Sequence, residues 1–375
     1  MKRILTLLVA AVMLISLLGG CSGESSEKTS PTPDSSAAPT QSAAPPSEKT
    51  PRGDFEFTDD AGRKVEVDGV ITRIAASGPM AQIALFAIAP EMFVGLSVEW
   101  DPETEGIIPD EYYNLPVIGQ LYGGKGEMNL EELALLDPQL IIDVGEAKGS
   151  IAEDLDGLQE QTGVTFVHID SKLETLPETY RRLGELLDKE EEGEALAEYC
   201  ERIWDRAMEI REKAGDNMAD VVYCLGTDGL SVLAKTSFHA EVIDLLANNV
   251  AVVNEVSSKG TGNAVDMEQL MIWDPEYILF APDGSFDAAS AAEWQQLSAV
   301  ESGKYLEIPG IPYNWMASPP SAQRYLGLIW LQAVLYPDIA DYDVFEECTE
   351  YFRLFYHTEL TREEFDSITE NSFLK

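Results

Sequence analysis

From Lys189 to Ala214 the chain runs without a proline, and its apolar residues Leu196, Cys200, Ile203, Ala207, Ile210 and Ala214 recur at steps of four and three. That spacing draws one stripe along one face of a helix. At 1.5 Å per residue, about 26 residues make a helix of roughly 39 Å, long enough to run the height of two lobes. A continuous helical link is also stiffer than loop hinges. On either side, short β-branched runs alternate with helical patterns, which implies crossover units and parallel sheets. Candidate strands before the long helix are Arg73–Ala76, Phe93–Leu96, Leu140–Asp143 and Phe166–Ile169. After it they are Val221–Leu225, Val252–Asn254, Tyr277–Ala281 and Tyr305–Ile308. The expected fold is α/β: an N-terminal lobe over 54–175, linking helices over 176–218 and a C-terminal lobe over 219–375, with a ligand cleft between the lobes.

The N-terminus reads as an address. Lys2 and Arg3 precede an apolar run from Ile4 to Leu18, too short for a comfortable membrane span of about 20 residues and suited to a signal-peptide core. The run ends in Leu18-Gly19-Gly20-Cys21, which resembles a bacterial lipobox, so residues 1–20 are read as a lipoprotein signal peptide and Cys21 as the lipidated residue. Residues 22–53 are mostly Ser, Pro, Thr, Ala, Glu and Lys, with no branched aliphatic or aromatic side chain. Such a stretch buries too little surface to offset its ordering entropy and serves as a tether from Cys21.

Charge and motif content remove several function classes. With 25 Lys+Arg against 67 Asp+Glu the formal charge is −42, a field that repels phosphate backbones and excludes nucleic acid as a partner. Only three histidines occur, and no HExxH, CxxC, Walker-type or GxSxG pattern is present. Metal hydrolysis, nucleotide hydrolysis and serine hydrolysis thereby lose their usual carriers. The expectation is a protein that is not an enzyme, with no catalytic residue, no cofactor and no resident metal. Cys200, Cys224 and Cys348 have wide spacing and apolar neighbours, which suggests core positions rather than a metal site.

An internal repeat supports two lobes. Asn129-Leu130-Glu131-Glu132-Leu133, then Asp137-Pro138, then a strand, is matched by Asp266-Met267-Glu268-Gln269-Leu270, Asp274-Pro275 and a second strand. In each, an Asn or Asp caps a short helix and a Glu follows two positions later. Glu131 and Glu268 thus hold equivalent places. First-turn glutamates complement the helix dipole, while a matched pair on two lobes also suits docking on a two-fold partner.

These features in this order, with Thr58-Asp59-Asp60-Ala61-Gly62-Arg63 at the start of the body, resemble the helical-backbone (class III) substrate-binding proteins of ABC importers for iron–siderophore complexes, haem and cobalamin. The most distinctive segment is Pro312-Tyr313-Asn314-Trp315, Pro319-Pro320-Ser321-Ala322-Gln323-Arg324 and Gly327-Leu328-Ile329-Trp330-Leu331. It looks like a subgroup that also includes oxyanion binders; Ser318 stands where members of that subgroup often carry a basic residue. The resemblance implies a lipid-anchored protein on the extracytoplasmic face of the cell membrane. It would capture a small-molecule metal complex and deliver it to an ABC permease dimer and its ATPase. It also implies that Glu131 and Glu268 meet arginines of the permease.

In parallel α/β sheets ligands sit beyond the carboxyl ends of the strands. That rule nominates Pro79, Met80 and Trp100 in the first lobe, Tyr122 before the repeat helix, and Thr227, Asp228, Tyr313 and Trp315 in the second. The aromatic residues offer flat apolar surface to a chelate or macrocycle, or else anchor loops. Ser318-Pro319-Pro320-Ser321 reads as the cap and first turn of a helix running to about Tyr336. If its N–H groups face the cleft they form an anion site with Arg324; alternatively Arg324 partners a structural carboxylate. Two binding functions follow, for a metal complex or for an oxyanion such as molybdate or tungstate. A lipid-anchored secreted enzyme is a third reading, without a nucleophile–base motif to carry it.

Overall fold

The strand Leu140–Gly145 is buried along its whole length, as a strand covered by helices on both faces must be. In this computed structural model, which describes residues 52–121 and 128–374, it is flanked by Ile74–Ala76 and Thr165–Asp170, with Phe93–Gly95 beyond Ile74–Ala76. All four strands are parallel. Cys21, the segments read as signal peptide and tether, and Tyr122 lie outside the described residues. A hairpin of Phe55–Thr58 and Lys64–Val67 opens the body. Its turn holds the buried Arg63, whose guanidinium donates to Asp59 at 3.1 Å and to the Phe166 carbonyl at 2.9 Å. This pins the hairpin to the sheet's edge.

The second sheet is built on Asp220–Leu225, Tyr277–Phe280 and Tyr305–Glu307, parallel to one another. It is more mixed than strand–helix alternation predicts. Ser231–Val232 and Asn263–Ala264 add antiparallel pieces, and Asn248–Asn249 pairs with the start of Asp220–Leu225. The expected strand Val252–Asn254 is not formed. The pairing position is taken by Asn249, whose side-chain amide donates to Leu233 O and Asp244 Oδ1, and Val252 is left exposed.

The long helix is Glu190–Ala214, and every residue of the predicted stripe is buried on it. It packs against the helices Leu176–Leu187 and Arg324–Leu335. Where it crosses the first of these, Gly193 lets the backbones touch: a Cβ there would stand 2.6 Å from the Tyr180 carbonyl oxygen. On its polar side Arg206 and Arg202 grip Glu347 at 2.6 and 3.2 Å, binding the helix Val344–Phe355 to it. That C-terminal helix also packs on Pro79–Ile88, and the His357 ring sits 2.9 Å from the Phe86 carbonyl. The chain's last helices therefore return to the first sheet's side, and one hydrophobic cluster runs through both halves. Cys200, Cys224 and Cys348 are free and buried, and burial pushes their thiols well above the ordinary range.

Gly193→Ala should overpack this crossing and cost about 1–3 kcal/mol. Urea unfolding followed by circular dichroism would show a lower midpoint with an unchanged slope.

Candidate functional site

The parallel pair Asp220–Leu225 and Tyr277–Phe280 delivers Gly226 and Ala281–Asp283 to the same edge. Asp283 fastens the two ends together, its Oδ2 accepting the Gly226 N–H at 2.7 Å and its Oδ1 that of Ser285 at 3.1 Å. At this edge lies a cavity of about 610 Å³, whose lining also includes Glu99 and Asp101 from the first half of the chain. Its remaining walls include Ser231, Thr261, Tyr313, Asn314 and Ser318. A neighbouring groove of about 1040 Å³ shares Asp101, Pro282 and Gly310 with it and adds Glu103, Glu105, Glu307, Glu363 and Glu364. Among the described residues, neither lining includes a Lys, Arg or His.

The Tyr313 loop is held rigidly. Asn314 Oδ1 accepts the N–H groups of Met316 and Ala317 at 2.9 and 3.0 Å, and its amide donates to the Tyr223 hydroxyl at 2.7 Å. Tyr313 meets the first half of the chain through Gln82, whose Nε2 donates to the phenol oxygen at 3.0 Å. Gln82 Oε1 in turn accepts from Ser97 N at 2.7 Å. Burial raises the Tyr313 phenol above its ordinary pKa, so it remains a neutral group. Ser321 makes a second tie between the halves, its hydroxyl donating to the Met80 carbonyl at 2.9 Å.

The nominated residues do not converge on one place. Tyr313 lines the 610 Å³ cavity. Pro79 and Met80 line a separate cavity of about 100 Å³ at the carboxyl end of Leu140–Gly145. Beside that cavity, Asp143 bonds the Ser77 hydroxyl and the buried His168 ring. Thr227 and Asp228 stand on an exposed turn outside both linings, Asp228 accepting the Leu230 N–H at 3.0 Å. Trp100 is 4% exposed. Its ring packs against Phe86 at 5.0 Å and Tyr313 at 5.6 Å, so it backs the site from the core instead of facing a ligand. Trp315 is 0% exposed, its indole N–H donating to Ile311 O at 2.9 Å. Gly327 lies so close to the Trp315 carbonyl that a Cβ would collide with it.

The expected anion site is also corrected. The helix starts at Arg324, and Ser318 does not cap it. Pro319 precedes Pro320, and a residue before proline is pushed out of the helical region. The segment instead forms turns closed by Ser321 N–H to Pro319 O and Arg324 N–H to Ser321 O. Arg324 is 2% exposed and ion-paired with Glu241. Its guanidinium also lies over the Phe238 ring. Burial lowers its pKa while Glu241 opposes the shift. Of the two roles open to Arg324, the structure provides the carboxylate partner. Gln82, Glu99, Asp101 and Asp283 are not among the residues the sequence points to; Glu99, Asp101 and Asp283 do share its one legible signal, each lying a few residues past an expected strand end.

A family model described as periplasmic binding protein matches residues 108–312. No curated protein sequence matches the chain. Among solved structures, an ABC transporter solute binding protein from Sulfurospirillum deleyianum DSM 6946 is 25% identical with a TM-score of 0.76, covering 84% of this chain and 99% of that one. A periplasmic solute binding protein from Veillonella parvula DSM 2008 is 24% identical with a TM-score of 0.69, covering 86% and 98%. A molybdate periplasmic binding protein from Haemophilus influenzae, bound to molybdate, is 20% identical with a TM-score of 0.66, covering 82% and 99%.

Replacing Arg324 by Leu strands the partly buried Glu241 carboxylate. Breaking one side of such a pair costs about 3–5 kcal/mol, whereas Arg324→Leu with Glu241→Leu should recover much of that loss. Thermal unfolding of the two variants would show the difference; equal midpoints would rule out the structural role.

Proposed function

This chain belongs to the periplasmic binding protein family, in the helical-backbone form that serves ABC importers, and from that premise we propose that it captures a metal complex and hands it to a permease. Binding proteins of this family work outside the cytoplasm with an ABC permease and its ATPase. The observation that carries the ligand reading is the wall of the 610 Å³ cavity: a half-buried tyrosine, several neutral hydrogen-bonding groups, and the carboxylates Glu99, Asp101 and Asp283. A volume in the few-hundred-Å³ range suits a chelate or part of a macrocycle. The carboxylates favour a positively charged or neutral complex, such as a cationic ferric hydroxamate or a corrinoid, over an anionic one. Molybdate, which the Haemophilus neighbour binds, is disfavoured here. The helix N-terminus that was to supply N–H donors is not at Ser318, and Arg324 is occupied by Glu241. Cys21 would hold the protein to the membrane through a lipid, and Glu131 and Glu268 would meet permease arginines, as the family resemblance implies.

Titration calorimetry with ferrioxamine B, cobalamin, haem, a trianionic ferric catecholate and molybdate tests the ligand class. A cationic or neutral complex should bind most tightly. Glu99→Gln combined with Asp283→Asn should weaken a cationic ligand by about 1 kcal/mol per charge removed. Preference for molybdate or the catecholate would overturn the reading. Separately, Glu131→Ala with Glu268→Ala should leave ligand affinity within twofold and abolish most uptake of radiolabelled ligand by cells.

A further inference from the structure

The two repeat helices, Leu130–Leu136 and Met267–Trp273, match position by position in exposure as well as in the spacing of their cap, acid, buried leucine and Asp-Pro end. Over Asn129–Pro138 and Asp266–Pro275 the order of exposed, half-buried and buried positions is the same. Each helix is capped by its Asn or Asp side chain, buries one leucine (Leu133 or Leu270), and ends in an aspartate with left-handed backbone, Asp137 at φ 47° and Asp274 at φ 37°. The match extends to a feature that folding does not ask for. Leu135 is 78% exposed and Ile272 is 70% exposed, the two most exposed large hydrophobic side chains among the described residues. They occupy the same place in the two repeats, four residues beyond Glu131 and Glu268 respectively.

Residues four apart on a helix are neighbours on one face. Each repeat helix therefore offers an acid and, one turn on, an aliphatic side chain, with Ala134 or Met271 beside it. A lone exposed leucine is ordinary on a protein surface. Two of them at equivalent positions, each beside the equivalent acid, make one composite surface displayed twice. We propose that Leu135 and Ile272 are the apolar contacts by which this protein docks on a pair of identical membrane subunits. Each subunit presents a cation for the glutamate and an apolar socket for the aliphatic chain. This rests on the transport reading and adds to it: the acids steer and orient the encounter, and the aliphatic residues supply desolvated contact that salt does not screen.

The test uses the cognate permease–ATPase complex in lipid nanodiscs and the lipid-free full body, with binding followed by biolayer interferometry at two salt concentrations. Leu135→Ser and Ile272→Ser should each weaken docking several-fold and to a similar extent. The double variant should lose at least about tenfold, the range of an interface hot spot, while keeping the wild-type salt dependence. Glu131→Gln with Glu268→Gln should instead flatten that dependence. Because both apolar residues are exposed, urea midpoints and ligand affinity should stay at wild-type values. Docking by the double variant within twofold of wild type overturns the inference and leaves the transport reading standing. Failure of the unaltered chain to bind the nanodisc sinks both. Concentration-dependent dimers in sedimentation velocity, lost in the double variant, would reassign the surface to a second copy of this chain and likewise overturn it.

Discussion

Everything in this molecule hangs on the burial of one stripe on the helix Glu190–Ala214. Leu196, Cys200, Ile203, Ala207 and Ile210 enter a core that already contains side chains from both sheets. Small residues on that stripe matter as much as large ones. Gly193 permits backbone contact with Leu176–Leu187, and Ala207 and Ala214 keep the spine close to its neighbours. The spine cannot shift without opening a close-packed interior. The two sheets are therefore held at a set distance, and the space between their carboxyl edges becomes a defined site.

Closure at that site rests on few but well-ordered contacts. Gln82 reaches from the first half to the Tyr313 phenol, and Ser321 reaches from the second half to the Met80 carbonyl. Trp100 packs behind Tyr313, which lines the cavity. Motion between the halves has to break or slide these contacts while the spine and the returning C-terminal helices stay packed. A small rocking of walls fits that framework better than a wide hinge opening. The strong negative charge of the chain has a bland component, the solvated helix faces, and a local one, the carboxylates around the cavity and its adjoining groove.

Where sequence reasoning went astray, the cause lies in competition between neighbours that no local pattern records. Ser318-Pro319-Pro320-Ser321 carries the composition of a capped helix start, yet the second proline forbids the first from being helical, and the helix waits until Arg324. Val252 and Val253 have the residues of a strand, but the edge position is held by Asn249, whose amide donates to the Leu233 carbonyl and to the Asp244 carboxylate. Trp100 and Trp315 were candidates for the ligand wall because they follow strands or stand in a distinctive loop. Each instead has its ring enclosed and its indole N–H bound to a backbone carbonyl.

The sequence by itself determined the two-part α/β architecture, the spine and the paired repeat, because each is written in a period or a spacing that local chemistry reads without help. Apolar steps of three and four make a helix face, alternating strand and helix patterns make the parallel centres of both sheets, and a repeated cap–acid–proline spacing makes two equivalent turns of helix. Only the tertiary structure decided which side chains face the cavity. Whether Arg324 meets a ligand or Glu241, and whether Glu99 and Asp283 line the same cavity, depends on segments far apart in the chain coming together. Such meetings follow from the packing of whole elements, and no pattern within any one of them contains that information.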